Sequence, residues 1–442
     1  MSNRFDLEQV SIRRGILGTL LQIVLLAYSF FAYLVPNNIA YGAIVGVALL
    51  LVVYTVLFRD SIRFSQAALR QIFFLLAFVV LCLFPVVIGL FDGAGTRAAL
   101  LMVTILTISI LFYTFQPDAS KLGIIMLAFS SVHVFFTLFS FAFTAIFRKS
   151  VLAFMPPQVV EMSNFFLIRN VYNGIADQTG RNSVYITIGI AVLFAAMLAK
   201  DKFKSVRRWI LLLIFMAALF LTGKRGTLVA VIAPILILIV LDSRKRGRKL
   251  AQTMTLALAS LLVIFILLPY VVPSTAIVLN RFFVPTGVDI TSGRGPLFRH
   301  AFSLFSQKPI FGWGYGTFGS MSELSAHNMY IQLLADCGLV GTLFLMSIFT
   351  LNLRKVLKVI RLQVSAGTSS AFAPYLSLFI QIFFLIYGLT DSGFYNTFTL
   401  VIYLIAAVFP FQMEVFSPIN ADRSRTGAIV TRPAHRVYKT FF

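Results

Sequence analysis

The sequence predicts an all-α polytopic membrane protein with about twelve transmembrane helices and two long periplasmic loops. Three observations carry that prediction. Hydrophobic residues make up 59% of the 442 and charged residues only 12%, where soluble domains hold roughly 45–50% and ~25%. Mean hydropathy is +0.92, so a soluble globule could not hide the apolar surface. The apolar residues fall in continuous runs rather than in alternation. Runs of that kind suit helices crossing a hydrocarbon core of ~30 Å and exclude an outer-membrane barrel.

The runs lie at about 14–34, 39–58, 72–91, 98–115, 122–147, 183–199, 209–223, 226–241, 251–272, 329–351, 371–389 and 393–411. The first is too long for a cleavable signal peptide, and no small-residue cleavage site follows it. The seventh and eighth are short and meet in a tight turn at Gly223-Lys224-Arg225-Gly226. Two connections are long, 148–182 and 273–328. Within the second, Leu297, Phe298, Ala301, Phe302, Leu304 and Phe305 form a helical apolar stripe, so Pro296–Gln307 reads as a short amphipathic helix. Asn328 is placed to cap the tenth helix. The membrane domain thus covers 1–412, and 413–442 is a basic cytoplasmic tail.

The net charge is +22 and the pI about 10.3. The basic residues cluster at the N-terminus (Arg4, Arg13, Arg14), around Arg59–Arg70, Lys200–Arg208, Arg244–Lys249 and Arg354–Arg361, and in the tail. In a twelve-span chain all of these lie on one side, which makes that side the cytoplasm and both termini cytoplasmic. The charge is therefore topological and implies no nucleic-acid partner. Cys82 and Cys337 sit in apolar runs and offer neither a disulfide framework nor metal spacing.

The opposite face holds more bases than that rule allows: Arg169, Arg181, Lys224, Arg225, Arg281, Arg294, Arg299, His300, Lys308 and His327, against the acids Glu161, Asp177, Asp289, Glu323 and Asp391. Such an excess points to an anionic ligand on the outer side. Arg225 lies between two apolar runs, close to membrane depth. It either snorkels to the headgroups or offers a guanidinium fork to a phosphate. Arg294, between Gly293 and Gly295, lets backbone and side chain approach a ligand. His327, where the long loop re-enters the membrane, is either a helix-start residue or a proton acceptor. His133 reads as a packed residue of the fifth span. No Asp-x-Asp or His-x-x-x-His pair is present, so no metal site and no cofactor are expected.

Ser292-Gly293-Arg294, Phe311-Gly312-Trp313-Gly314-Tyr315-Gly316-Thr317-Phe318, and His327-Asn328 with Gly338 and Gly341 together resemble the signature of the O-antigen ligase/polymerase superfamily. Thr222–Gly226 and Thr179–Asn182 add looser support. The resemblance implies a multi-pass enzyme of the bacterial inner membrane with a periplasmic active site. Its donor would be an undecaprenyl-diphosphate-linked glycan and its acceptor a glycan or lipid A–core, with membrane lipid around it. It assigns Arg225 and Arg294 to the diphosphate and His327 to the acceptor hydroxyl, with Lys224, Arg299, Asn328 and Arg181 as further substrate contacts. A metal-independent, inverting glycosyltransferase follows.

Polymerisation of O-antigen or exopolysaccharide units is the first expectation, because the Gly-Trp-Gly-Tyr-Gly stretch resembles polymerases slightly more than ligases. An O-antigen ligase is the alternative, and a lipid-linked-oligosaccharide transporter the reading from another class. Convergence of Arg225, Arg294 and His327 separates the transferase from the transporter, since one reacting centre needs its groups close together.

Overall fold

The computed structural model describes residues 2–57, 66–88, 104, 108–109, 118–200, 205–246, 276, 294–322, 324–365 and 371–412. Among them the regular structure is helical throughout. The expected spans at 98–115 and 251–272, most of 273–293 and the tail 413–442 lie outside these residues.

Each remaining apolar run falls on a helix. Helix α1 (Ser2–Phe31) ends ahead of Val35-Pro36, and α2 (Asn37–Leu57) starts just after that proline, whose carbonyl accepts the Ala40 N–H at 3.0 Å. Helix α3 spans Gln66–Ile88. Asp118 starts α4 (Ala119–Ala142) by accepting from the Ser120 and Lys121 N–H groups, which satisfies two orphan donors. The connection at 148–182 is ordered: short turns lead to α5 (Pro157–Leu167), opened by Pro156-Pro157. Helices α6 (Thr179–Lys200), α7 (Val206–Leu221) and α8 (Arg225–Arg246) follow. The tight turn between α7 and α8 is made by Gly223, at φ +64°.

The amphipathic stretch forms α9 (Gly295–Gln307), which buries Ala301 and Leu304 against Phe318, Ala326 and Ala335. A single short helix, α10 (Thr317–Ser322), precedes α11 (Met329–Ser365). Helices α12 (Phe372–Tyr387) and α13 (Thr397–Gln412) complete the fold. One expectation changes here. The basic stretch Arg354–Arg361, expected in a connection, continues α11, because Lys and Arg are good helix formers and nothing there stops the helix. The element is interrupted at Gly338, and at 1.5 Å per residue its second part, 339–365, still exceeds a ~30 Å core.

Among the described residues, five helices are long and apolar enough to cross a membrane, within α1, α4, α6, α8 and α11; shorter apolar helices lie in α2, α3, α12 and α13. Of the apolar stretch of helix α6, 89% is buried, as befits a central helix. It packs on α4, α7, α8 and α12; α12 packs in turn on α8, α11 and α13. His133 is buried between α1, α4 and α6, bonded to Asn182 at 3.1 Å and to the Phe30 carbonyl at 3.3 Å.

Candidate active site

The site is organised by the turn that ends α12. Helix C-termini leave carbonyls without partners, and here other segments use them. The Gly388 carbonyl accepts the Met329 N–H at 2.7 Å, which is an orphan donor of α11. The Leu389 carbonyl accepts from Asn328 Nδ2 at 3.1 Å. The Thr390 carbonyl accepts from Arg294 Nη1 at 2.9 Å. Asn328 also caps α11 as expected, its Oδ1 accepting from the Tyr330 and Ile331 N–H groups.

Helices α6 and α8 arrive at the same turn. A Cβ placed on Gly180, in the first turn of α6, would lie 3.2 Å from Asp391 Oδ2, 3.4 Å from the Tyr387 hydroxyl and 3.5 Å from Lys224 Cε. A Cβ on Gly226, in the first turn of α8, would lie 2.3 Å from Thr390 Oγ1. Ser183 and Thr227 hydroxyls bond at 2.8 Å and tie the two helices together. The N-termini of α6, α8, α9 and α11 therefore gather around residues 388–391. Each carries the partial positive charge of a helix N-terminus, which favours an anion.

The side chains add to that field. Arg294 is half-buried; burial pulls its guanidinium below its ordinary value, the charge of Asp391 opposes that, and Arg225 acts from within electrostatic reach. His327 is held at φ +51°, and its Nδ1 is buried without a hydrogen-bond partner. Burial lowers its pKa from 6.5; Asp391 pulls the other way, while Arg294 and Lys224 lower it further. The balance favours the neutral imidazole. Asp391 accepts from the Tyr387 hydroxyl at 2.7 Å and from the Ser392 N–H at 2.7 Å. It is the acidic group of the cluster.

Five of the seven sequence-predicted residues come together here: Arg294, His327, Asn328, Lys224 and Arg225. Arg299 is exposed on α9, past the Arg294 N-cap. Arg181 is ion-paired with Asp177 and lies over the Phe398 ring at 4.4 Å, so it is not an open cation. The carbonyl turn and the place of Asp391 beside the bases went unseen in sequence. The one signal was Asp391 itself, an acid among outer-face bases.

The glycine-rich stretch has a structural job. Helix α11 breaks at Gly338, with φ +62° and ψ −167°. The break frees the Ala335 and Asp336 carbonyls, and the loop's Trp313 and Gly314 N–H groups donate to them at 3.2 and 2.7 Å. In return Leu339 and Val340 N–H groups donate to the Pro309 and Ile310 carbonyls at 2.8 and 3.1 Å. Asp336 accepts from the Gly316 and Phe318 N–H groups at 3.0 and 2.7 Å. Tyr315 N–H reaches the Cys82 carbonyl of α3 at 3.2 Å. The loop is thus locked into the broken helix whose first turn carries Asn328 and follows His327.

Fold and site together define a helical membrane protein with a cationic, helix-N-terminus-lined site at one end of its bundle. Residues 210–346 match the family model described as O-antigen ligase, and the match supports the O-antigen ligase/polymerase superfamily. That segment contains Lys224, Arg225, Arg294, His327, Asn328 and the Gly338 break. No curated protein matches the chain. Among the described residues no three His, Cys, Asp or Glu side chains cluster as metal ligands would.

Proposed function

We propose that this chain transfers an undecaprenyl-diphosphate-linked glycan to an acceptor sugar hydroxyl at the periplasmic face of the inner membrane, both termini being cytoplasmic. The observation that carries the reading is the convergence of Arg225, Arg294, Lys224 and His327 on the 388–391 turn, where four helix N-termini also point. A transporter reading calls for polar groups along the spans near midplane. Here Lys224, Arg225, Arg294, His327 and Asp391 gather at one end.

The chemistry follows from the groups present. The diphosphate sits against Arg225, Arg294 and the N-termini of α6 and α8, which stabilise the charge that develops as it leaves. The acceptor oxygen attacks the anomeric carbon in line, the bond to diphosphate oxygen breaks, and the configuration inverts. The hydroxyl proton passes to the neutral imidazole of His327, a step worth typically ~10²–10⁴-fold. The Asp391 charge favours the imidazolium as it forms. The cations and helix ends serve the diphosphate without a metal or cofactor.

Polymerisation of O-antigen or exopolysaccharide units is the first reading, on the Gly-Trp-Gly-Tyr-Gly stretch. Ligation of O-antigen to lipid A–core is the second, favoured by the description of the matched family. A gene deletion profiled for lipopolysaccharide and secreted polysaccharide, with rescue by wild type and by His327→Ala, decides between them. Accumulated single repeats without long chains indicate a polymerase. Long lipid-linked chains with bare lipid A–core indicate a ligase. An unchanged profile, or full rescue by His327→Ala, overturns the transferase reading or its site.

A further inference from the structure

Beside the anion site lies a second polar cluster with different chemistry. Asp177 and Arg181 sit one turn apart at the start of α6, the guanidinium donating to the carboxylate. Their side chains are only 19% and 11% exposed. The pair's charges cancel, so it adds little to the attraction for a diphosphate. The Arg181 guanidinium lies 4.4 Å from the Phe398 ring centroid and 5.7 Å from that of Tyr33, so its plane is fixed from α13 and from the end of α1.

Three polar atoms in this cluster have no hydrogen-bond partner: the Tyr33 hydroxyl, Asp177 Oδ1 and Arg181 Nε. Tyr33 is 3% exposed. Buried polar atoms are normally satisfied, and each one left without a partner is costly. The set comprises a hydroxyl that both donates and accepts, a carboxylate acceptor and a guanidinium donor. It matches the hydroxyls of a neutral sugar ring. The cluster is also in the right place. Gly180, next to Arg181, abuts Asp391, Tyr387 and Lys224 of the anion site.

We propose that Tyr33, Asp177 and Arg181 form a sugar subsite that binds hydroxyls of the glycan next to the reacting diphosphate and so selects which glycan is used. The proposal rests on the transferase reading, because the neighbouring site must hold the lipid diphosphate. Tyr33→Phe and Asp177→Asn test it with almost no change of shape. The full chain in lipid nanodiscs is titrated with three ligands: undecaprenyl diphosphate, the same lipid carrying its glycan (extracted from a strain lacking the gene), and the free oligosaccharide added to protein already saturated with bare lipid.

Tyr33→Phe binds the bare lipid within about twofold of wild type and the glycan roughly 5–20-fold more weakly in one arm, the loss expected for one hydrogen bond. Asp177→Asn, which also uncovers the Arg181 charge, binds the bare lipid no more weakly than wild type and shows the same glycan loss relative to its own bare-lipid affinity. A loss confined to the glycan-bearing lipid assigns the subsite to the donor sugar. A loss confined to the free oligosaccharide assigns it to the acceptor. Glycan affinities unchanged in both arms overturn the proposal, as ordered water would then satisfy these atoms. So does an equal loss for bare lipid, which makes the pair a support of the anion site. Failure of the wild type to bind bare lipid overturns the transferase reading and the subsite with it, before any variant is compared.

Discussion

Gly338→Ala tests the link between the glycine-rich loop and the site. At φ +62° and ψ −167°, Gly338 occupies backbone space essentially reserved for glycine, and an alanine held there costs ~1–3 kcal/mol. Its Cβ would also lie 2.4 Å from the Ile310 carbonyl oxygen and 2.6 Å from the Gly312 nitrogen. Both are backbone atoms, so the loop itself must retreat. That strains the Leu339-to-Pro309 and Val340-to-Ile310 bonds, at ~1 kcal/mol each. The expected destabilisation is about 3–5 kcal/mol. Trp313 reports it well: it sits in the loop, its Nε1 donates to the Leu304 carbonyl at 2.9 Å, and Trp209 is the other tryptophan.

In a Trp209→Phe background, Gly338→Ala should lower the thermal midpoint by several degrees, shift Trp313 emission to the red and remove glycan transfer. Gly319→Ala is the control. Its Cβ would meet nothing nearer than Gln332 Nε2 at 4.0 Å, so stability should hold or rise slightly. A Gly338→Ala protein with unchanged midpoint, emission and glycan profile would refute the reasoning.

Three more outcomes follow from the site. Since burial lowers the His327 pKa, the base form persists below pH 6.5, and the acid limb of kcat/KM should fall below that value; His327→Ala should lose about 10²–10⁴-fold and the limb with it. The charge of Asp391 raises the His327 pKa, so Asp391→Asn should move that limb to still lower pH, whereas an upward move or none would exclude the electrostatic role. Arg225→Gln and Arg294→Gln should each cut kcat by about 10²–10³-fold in an assay with lipid-linked glycan. Arg294→Gln should also lower the thermal midpoint, because its bond to the Thr390 carbonyl is lost, and an unchanged midpoint would argue against that anchor.

Much was legible in the sequence because it is local. Apolar runs and flanking charges give helices and their ends without reference to the rest of the chain. The amphipathic stripe gave α9, and Asn328 gave the cap of α11. Arg225 stood out because a cation near membrane depth needs a reason, Arg294 for its flanking glycines, and His327 for its place where the long loop meets the next helix. The rest depended on contacts far apart in the chain. The 388–391 turn acts through backbone carbonyls, which no side-chain pattern reveals, and meets donors from Arg294, Asn328 and Met329. Gly338 looked like part of a motif, but only docking of the loop shows that it frees carbonyls for that loop to fill. Arg181 read as another outer cation until the ion pair with Asp177 and the Phe398 ring left it neutralised and fixed in place. The sequence determined which segments form apolar helices and which residue types an anion would need. Tertiary structure decided which of them share one site, because burial and pairing set the charge that each presents.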